Sequence, residues 1–304
     1  MQPAAPVPVT AVRTEGFGIL LRVAATLAFA AMGGCIKALG TSVPLGQVVF
    51  FRSAFALLPL VAFLWLTGSF PRGLATTRPL GHAARCLMGA AAMFTSFATI
   101  RLLPLAEATM LSYLAPAFMA LMGWAFLGER LHRRRILGVA LGLAGCAVIS
   151  LPSMTGDLPA AAFAGLVLGV TTALLTAAAL MQVRRLTVMG EQAGAIAFWF
   201  AAVSALAGAA TLPLGWTVPD GLQLMLLLGA GLSGGIAHIL MTLSFRHAEA
   251  AALAPYEYLS ILWAVILGLA VFGESPGWAF LLAAPLILSG AIAALPVRRL
   301  RRTR

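Results

Sequence analysis

A chain of 304 residues with 61% hydrophobic residues, 10% charged residues and a mean hydropathy of +0.99 lacks the polar surface of a water-soluble domain. The net charge of +11 rests on nineteen arginines and one lysine, Lys37, clustered between apolar runs. With no basic face interleaved with aromatics, these charges exclude a nucleic-acid binder. The cysteines, Cys35, Cys86 and Cys146, lie in or beside apolar segments with neither a C-x-x-C nor a pairing pattern, so no metal or disulfide site is expected.

Residues 1–15 are rich in Pro and Ala and carry Arg13, and they read as an N-terminal tail. The first apolar run ends without a small-residue cleavage motif, which predicts a retained helix rather than a signal peptide. Ten candidate spans follow in order, at roughly 17–38, 46–66, 82–100, 104–127, 135–151, 160–182, 192–214, 222–244, 250–272 and 277–296. The runs are continuously apolar instead of alternating, so helices are expected and not a barrel. A basic tail occupies 297–304.

The fourth run, Leu103–Arg130, reads LPLAEATMLSYLAPAFMALMGWAFLGER and returns as AEAAALAPYEYLSILWAVILGLAVFGES over Ala248–Ser275. Placing Glu129 on Glu274 gives an offset of 274 − 129 = 145, and the same offset places Tyr113-Leu114 on Tyr258-Leu259. More weakly, Lys37-Ala38-Leu39 lies over Arg185-Leu186-Thr187. With the N-terminus inside, the cytoplasmic segments hold Arg13, Arg72, Arg78, Arg130, Arg133–Arg135, Arg184, Arg185, Arg246 and the tail arginines, while the outer loops hold only Arg101. That bias puts both termini in the cytoplasm. Five spans separate each position from its echo, and five is odd, so the halves insert with opposite orientation. The expected fold is an all-α polytopic membrane protein of ten helices in two inverted five-helix repeats, 16–151 and 160–296.

The LPLAEA…Y-x-x-P…LGE pattern and its echo APYEY…FGE resemble the drug/metabolite transporter superfamily, and within it the EamA-type permeases. The resemblance covers about residues 16–296. It implies a secondary transporter of the cell inner membrane, moving a small metabolite such as an amino acid or a nucleoside-like derivative by alternating access. No cofactor is implied. Expected partners are a small-molecule substrate, the lipid bilayer and, as open options, protons and a second copy in a homodimer.

Charges inside a bilayer need a reason. Arg22, Arg85, Lys37 and Arg101 lie near helix ends, where snorkelling is the simpler reading. Arg52 is deeper; it either binds a substrate carboxylate or pairs with Glu107. Glu257 lies about 10 Å into the ninth span with no arginine adjoining it in sequence. An unpaired carboxylate there suits proton coupling or an amine ligand. The chain's three tyrosines, Tyr113, Tyr256 and Tyr258, all fall in the echoing spans, and Ser112-Tyr113 maps onto Glu257-Tyr258. The spacing predicts a cavity between these pairs, with Pro116 and Pro255 bending the helices. His238, at mid-depth, either relays a proton with Glu257 or bonds a backbone carbonyl. The Gly138/Gly142, Gly165/Gly169 and Gly231/Gly235 spacings predict close helix packing.

No P-loop is possible, because Ile36 precedes the sole lysine. The rival class is an intramembrane serine protease, since Gly231-Leu232-Ser233-Gly234 matches G-x-S-G. Yet His238 lies five residues along the same helix, on a different face, so the base is missing. The topology makes the first testable statement. Reporter fusions after Arg134 and Arg304 should read as cytoplasmic, and one after Gly156 as periplasmic. A periplasmic signal at Arg304 contradicts the inverted repeat.

Overall fold

The structure, a computed structural model, describes residues 15–127, 133–154, 160–248, 253 and 256–294. Every long apolar run within them is helical: α1 (Glu15–Leu39), α2 (Leu45–Leu66), α3 (Pro79–Leu102), α4 (Leu105–Ser112), α5 (Ala115–Leu127), α6 (Arg133–Met154), α7 (Ala160–Val188), α8 (Ala193–Ala209), α9 (Gly221–His247), α10 (Leu259–Phe272) and α11 (Trp278–Ala294). No strand occurs among the described residues. Seven stretches are long and apolar enough to cross a membrane, with α4 and α5 together supplying one of them. Shorter apolar helices occupy Ile136–Val148, Leu259–Phe272 and Trp278–Gly290. The chain is a polytopic helical membrane protein.

Helix starts follow the sequence punctuation. Pro44 and Pro104 stand just before α2 and α4, and Pro79 opens α3, where a missing N–H costs nothing. Asp220 caps α9 by accepting from the Gln223 N–H at 2.7 Å, while Gln223 Oε1 accepts from the Asp220 N–H at 3.0 Å. Gly273 ends α10 at φ +63°, a left-handed turn that a side chain would strain.

The most extensive helix pairs all join residues 15–154 to residues 160–294. α1 lies along α9, α3 along α7, α6 along α11, and α2 along both α8 and α9. Small residues permit this closeness. A Cβ at Gly290 would stand 2.7 Å from the Gly138 carbonyl, and one at Gly235 would stand 2.9 Å from that of Ala56. Apolar side chains such as Leu58, Leu87, Leu206 and Leu281 face outward, as a lipid-facing surface requires.

Polar bonds tie the two ends of α8 to its neighbours, α2 at one end and the start of α3 at the other. At one end Gln47 Nε2 donates to the Thr217 carbonyl at 2.8 Å, and Gln47 Oε1 accepts from the Thr217 N–H at 3.1 Å. At the other, Glu191 accepts from the Thr77 N–H and hydroxyl, each at 2.9 Å, and its second oxygen meets His82 Nε2 at 3.1 Å. Burial alone would raise the Glu191 carboxyl, but the hydrogen bonds from Thr77 and His82 outweigh it. They hold the group at about 2, against an ordinary 4.5. A depressed folded-state pKa contributes stability that is complete above about 4.5 and is lost as pH falls through about 2. Glu191→Gln should therefore melt below the parent at neutral pH in detergent, and the gap should close between pH 4.5 and 2. A gap that stays constant across that window contradicts the clamp.

Candidate functional site

The fourth apolar run is interrupted at Tyr113–Leu114, between α4 and α5. Tyr258 holds the matching position at the start of α10, as its N-cap. Pro116 is the second residue of α5, so the break precedes it instead of falling on it. Pro255, expected to bend the partner helix, lies outside the described residues, as does Glu129.

The two breaks face each other. The Tyr113 and Tyr258 rings lie 5.2 Å apart, and the Tyr113 hydroxyl donates to the Glu257 backbone carbonyl at 2.7 Å. Ser260 Oγ donates to the same carbonyl at 2.7 Å and also meets the Tyr113 hydroxyl. A helix broken within a bilayer must find new partners for its freed backbone groups, and these hydroxyls supply them.

Between the breaks lies a cavity of about 440 Å³, within the size range of small-molecule sites. Ser112, Tyr113, Glu257 and Tyr258 line it, as the echo predicts. Thr26, Ser96 and Thr176 add hydroxyls from α1, α3 and α7, while Phe29, Ala30 and Met32 make one wall apolar. Trp263 closes in beside Thr26, donating to its hydroxyl at 3.2 Å.

Several expectations are corrected. Glu257 is not an unpaired carboxylate, because Arg22 Nη2 donates to its Oε1 at 2.5 Å. Arg22 does not snorkel: it is 5% exposed, with its guanidinium carbon 5.3 Å from the Phe245 ring centre. The Glu257 side chain is 53% exposed. Arg52 does not pair with Glu107; it is 3% exposed, and its Nη2 meets His238 Nε2 at 3.4 Å. His238 accordingly has Arg52 and the Phe29 ring as neighbours, and no relay to Glu257 forms. Glu107 lies apart from the cavity, in a small crevice beside Glu274 and Phe280. Tyr256 is half-buried and does not line the cavity. Arg85 covers the Phe200 ring at 4.3 Å, and Arg101 donates to the Val43 carbonyl at 2.8 Å.

Lys37 does not snorkel either. Its ammonium meets Glu274 Oε1 at 2.5 Å and donates to the Leu103 carbonyl at 2.6 Å, while Glu274 Oε2 accepts from the Leu105 N–H at 2.9 Å. One pair thus ties α1 to the start of α4 and to the turn after α10. The two pairs, Arg22–Glu257 and Lys37–Glu274, span long stretches of sequence that no motif connects. The usable signal was depth: with the N-terminus inside, each pair places opposite charges at matching depths of different spans. As for the rival chemistry, the Ser233 hydroxyl donates to the Gly229 carbonyl of its own helix, and His238 is engaged with Arg52.

Known proteins agree with this architecture. The EamA-like transporter family matches residues 16–151. The pseudopaline exporter of Pseudomonas aeruginosa is 30% identical over 270 residues, covering 86% of this chain and 87% of its own. The S-adenosylmethionine uptake transporter of Rickettsia felis is 28% identical, over 84% of each chain. A crystal structure 22% identical in sequence shares the fold with a TM-score of 0.64, over 92% of this chain and 97% of that one. The chain belongs to the EamA-like transporter family of the drug/metabolite transporter superfamily.

Proposed function

We propose that the chain is a secondary transporter, and not an enzyme, that moves a small organic metabolite across the cell inner membrane by alternating access. An amino acid or a nucleoside-like derivative is the expected cargo, and both termini are cytoplasmic. The observation that carries this reading is the cavity between the helix breaks at Tyr113 and Tyr258, walled by both halves of the chain. Relatives named as an exporter and as an uptake transporter support the class of activity and leave the direction open.

The halves 16–151 and 160–296 are read as inverted repeats of five spans each. Exchanging them carries the α1–α9 pair onto α7–α3 and returns α2–α8, α6–α11 and α4–α10 to themselves. The breaks obey the same exchange, since Tyr113 and Tyr258 differ by the 145-residue offset. Such a relation favours a midplane site that opens to one side at a time.

In this scheme the Lys37–Glu274 pair closes the outer end. Lys37 stands one turn beyond Gly33, a residue of the cavity wall, and its side chain is 13% exposed. The Glu274 side chain is 21% exposed, well below the 53% of Glu257 at the other end.

Two measurements test the reading. Protein reconstituted in liposomes should exchange at least one solute in a counterflow screen of amino acids and nucleoside-like metabolites, and Glu257→Gln should depress that exchange. A screen with no exchange rejects the permease. Accumulation driven by an imposed pH gradient would identify protons as the coupling ion. For the outer closure, Gly33→Cys offers a probe in a background lacking Cys35, Cys86 and Cys146. A Cβ there meets nothing nearer than Leu105 Cδ1 at 3.4 Å. Adding Lys37→Gln should raise its labelling by a membrane-impermeant maleimide applied from outside. Unchanged labelling removes the pair from the gate.

A further inference from the structure

The Arg22–Glu257 pair is lopsided in a way that bears on the cargo. Arg22 is 5% exposed, and only one of its three guanidinium nitrogens has a carboxylate: Nη2 meets Glu257 Oε1 at 2.5 Å. Its Nε and Nη1 are buried and find no acceptor among the described residues. A buried guanidinium with idle donors is a site for a planar anion, because arginine's fork matches a carboxylate. Glu257, in contrast, turns a half-exposed carboxylate towards the cavity that both residues line. The hydroxyls of Tyr113 and Ser260 fix the backbone carbonyl of Glu257, so the acid projects from an anchored point.

We propose that Arg22 and Glu257 are the two poles of a subsite for a zwitterion carrying an ammonium and a carboxylate on the same carbon, as an α-amino acid does. The inference rests on the permease reading above and names the substrate class of its cavity. Charge balance selects this class. A ligand bearing only a cation would draw Glu257 away and leave the buried Arg22 without its carboxylate. A ligand bearing only an anion would take Arg22 and set its own charge against the displaced Glu257. A zwitterion parts the pair and satisfies both poles, and the site stays neutral throughout. The ligand's side chain then runs along the apolar wall of α1, past Phe29 and Met32 towards Leu105.

The probes are L-leucine, L-methionine and L-phenylalanine, each with two isosteres lacking one charge. The amines are isoamylamine, 3-(methylthio)propylamine and phenethylamine; the acids are 4-methylpentanoate, 4-(methylthio)butanoate and 3-phenylpropanoate. Binding to the full chain in detergent is read as a rise in melting temperature with ligand concentration. At least one amino acid should bind, and its two isosteres should bind at least tenfold more weakly. In Arg22→Gln the order should change in favour of the amine, and in Glu257→Gln in favour of the acid. The charge-reversed double variant, Arg22→Glu with Glu257→Arg, keeps a neutral pair should a single variant fail to fold, and it should again prefer the zwitterion. Equal binding of an amine or an acid to the parent overturns the proposal, as does a charge-reversed variant that prefers a singly charged probe. If none of the nine binds while counterflow of another solute persists, the zwitterion site falls and the permease stands. If counterflow fails for every solute as well, the permease falls with it.

Discussion

A helix that stops inside a bilayer leaves backbone groups that water cannot reach, and the interior of this protein is built around meeting that demand twice. The break at Tyr113 and the break at Tyr258 lie side by side, and the first helps to satisfy the second. The Tyr113 hydroxyl, from one broken helix, donates to the carbonyl of Glu257 at the start of the other. Because the two interruptions share this hydrogen bond, neither is a local defect. Together they place polar atoms, an acid and two aromatic rings around one space in the middle of an otherwise apolar bundle.

Charge is handled with the same economy. Removing one partner of a fully buried ion pair costs about 3–5 kcal/mol, and Glu257's exposure reduces that figure for Arg22–Glu257. Lys37 is held more firmly, with one carboxylate and the carbonyls of Leu103 and Ile100 around its ammonium. Among the described residues Arg52 meets no acid: Met32 sulfur and His238 are its side-chain neighbours, and these weak contacts offset its desolvation there.

The sequence made some of this legible and hid the rest for physical reasons. Continuous apolar runs reported helices because a bilayer allows little else, and the structure bears out that class. The tyrosine echo pointed to the cavity because similar local chemistry recurs at a fixed offset, so Ser112-Tyr113 and Glu257-Tyr258 stand out as a pair in the sequence. Partnership between charges was not copied in that way. Arg22 and Glu257 are 235 residues apart, and their contact depends on how α1 leans against the start of α10, which no window of sequence encodes. The same limit explains Arg52 and Glu107. Depth along a span does not say which neighbour a side chain faces. His82 and Glu191 were missed because one lies within a span and the other in a short connection, where a polar residue attracts no notice.

The tethers at the two ends of α8 have a mechanical consequence. Gln47 grips the backbone at Thr217 in both directions, and Glu191 grips Thr77 and His82. α8 is thereby fixed to α2 at one end and to the start of α3 at the other, and it resists sliding along either. The interruptions at Tyr113 and Tyr258, in contrast, are tied chiefly to each other, through the hydrogen bond from the Tyr113 hydroxyl to the Glu257 carbonyl.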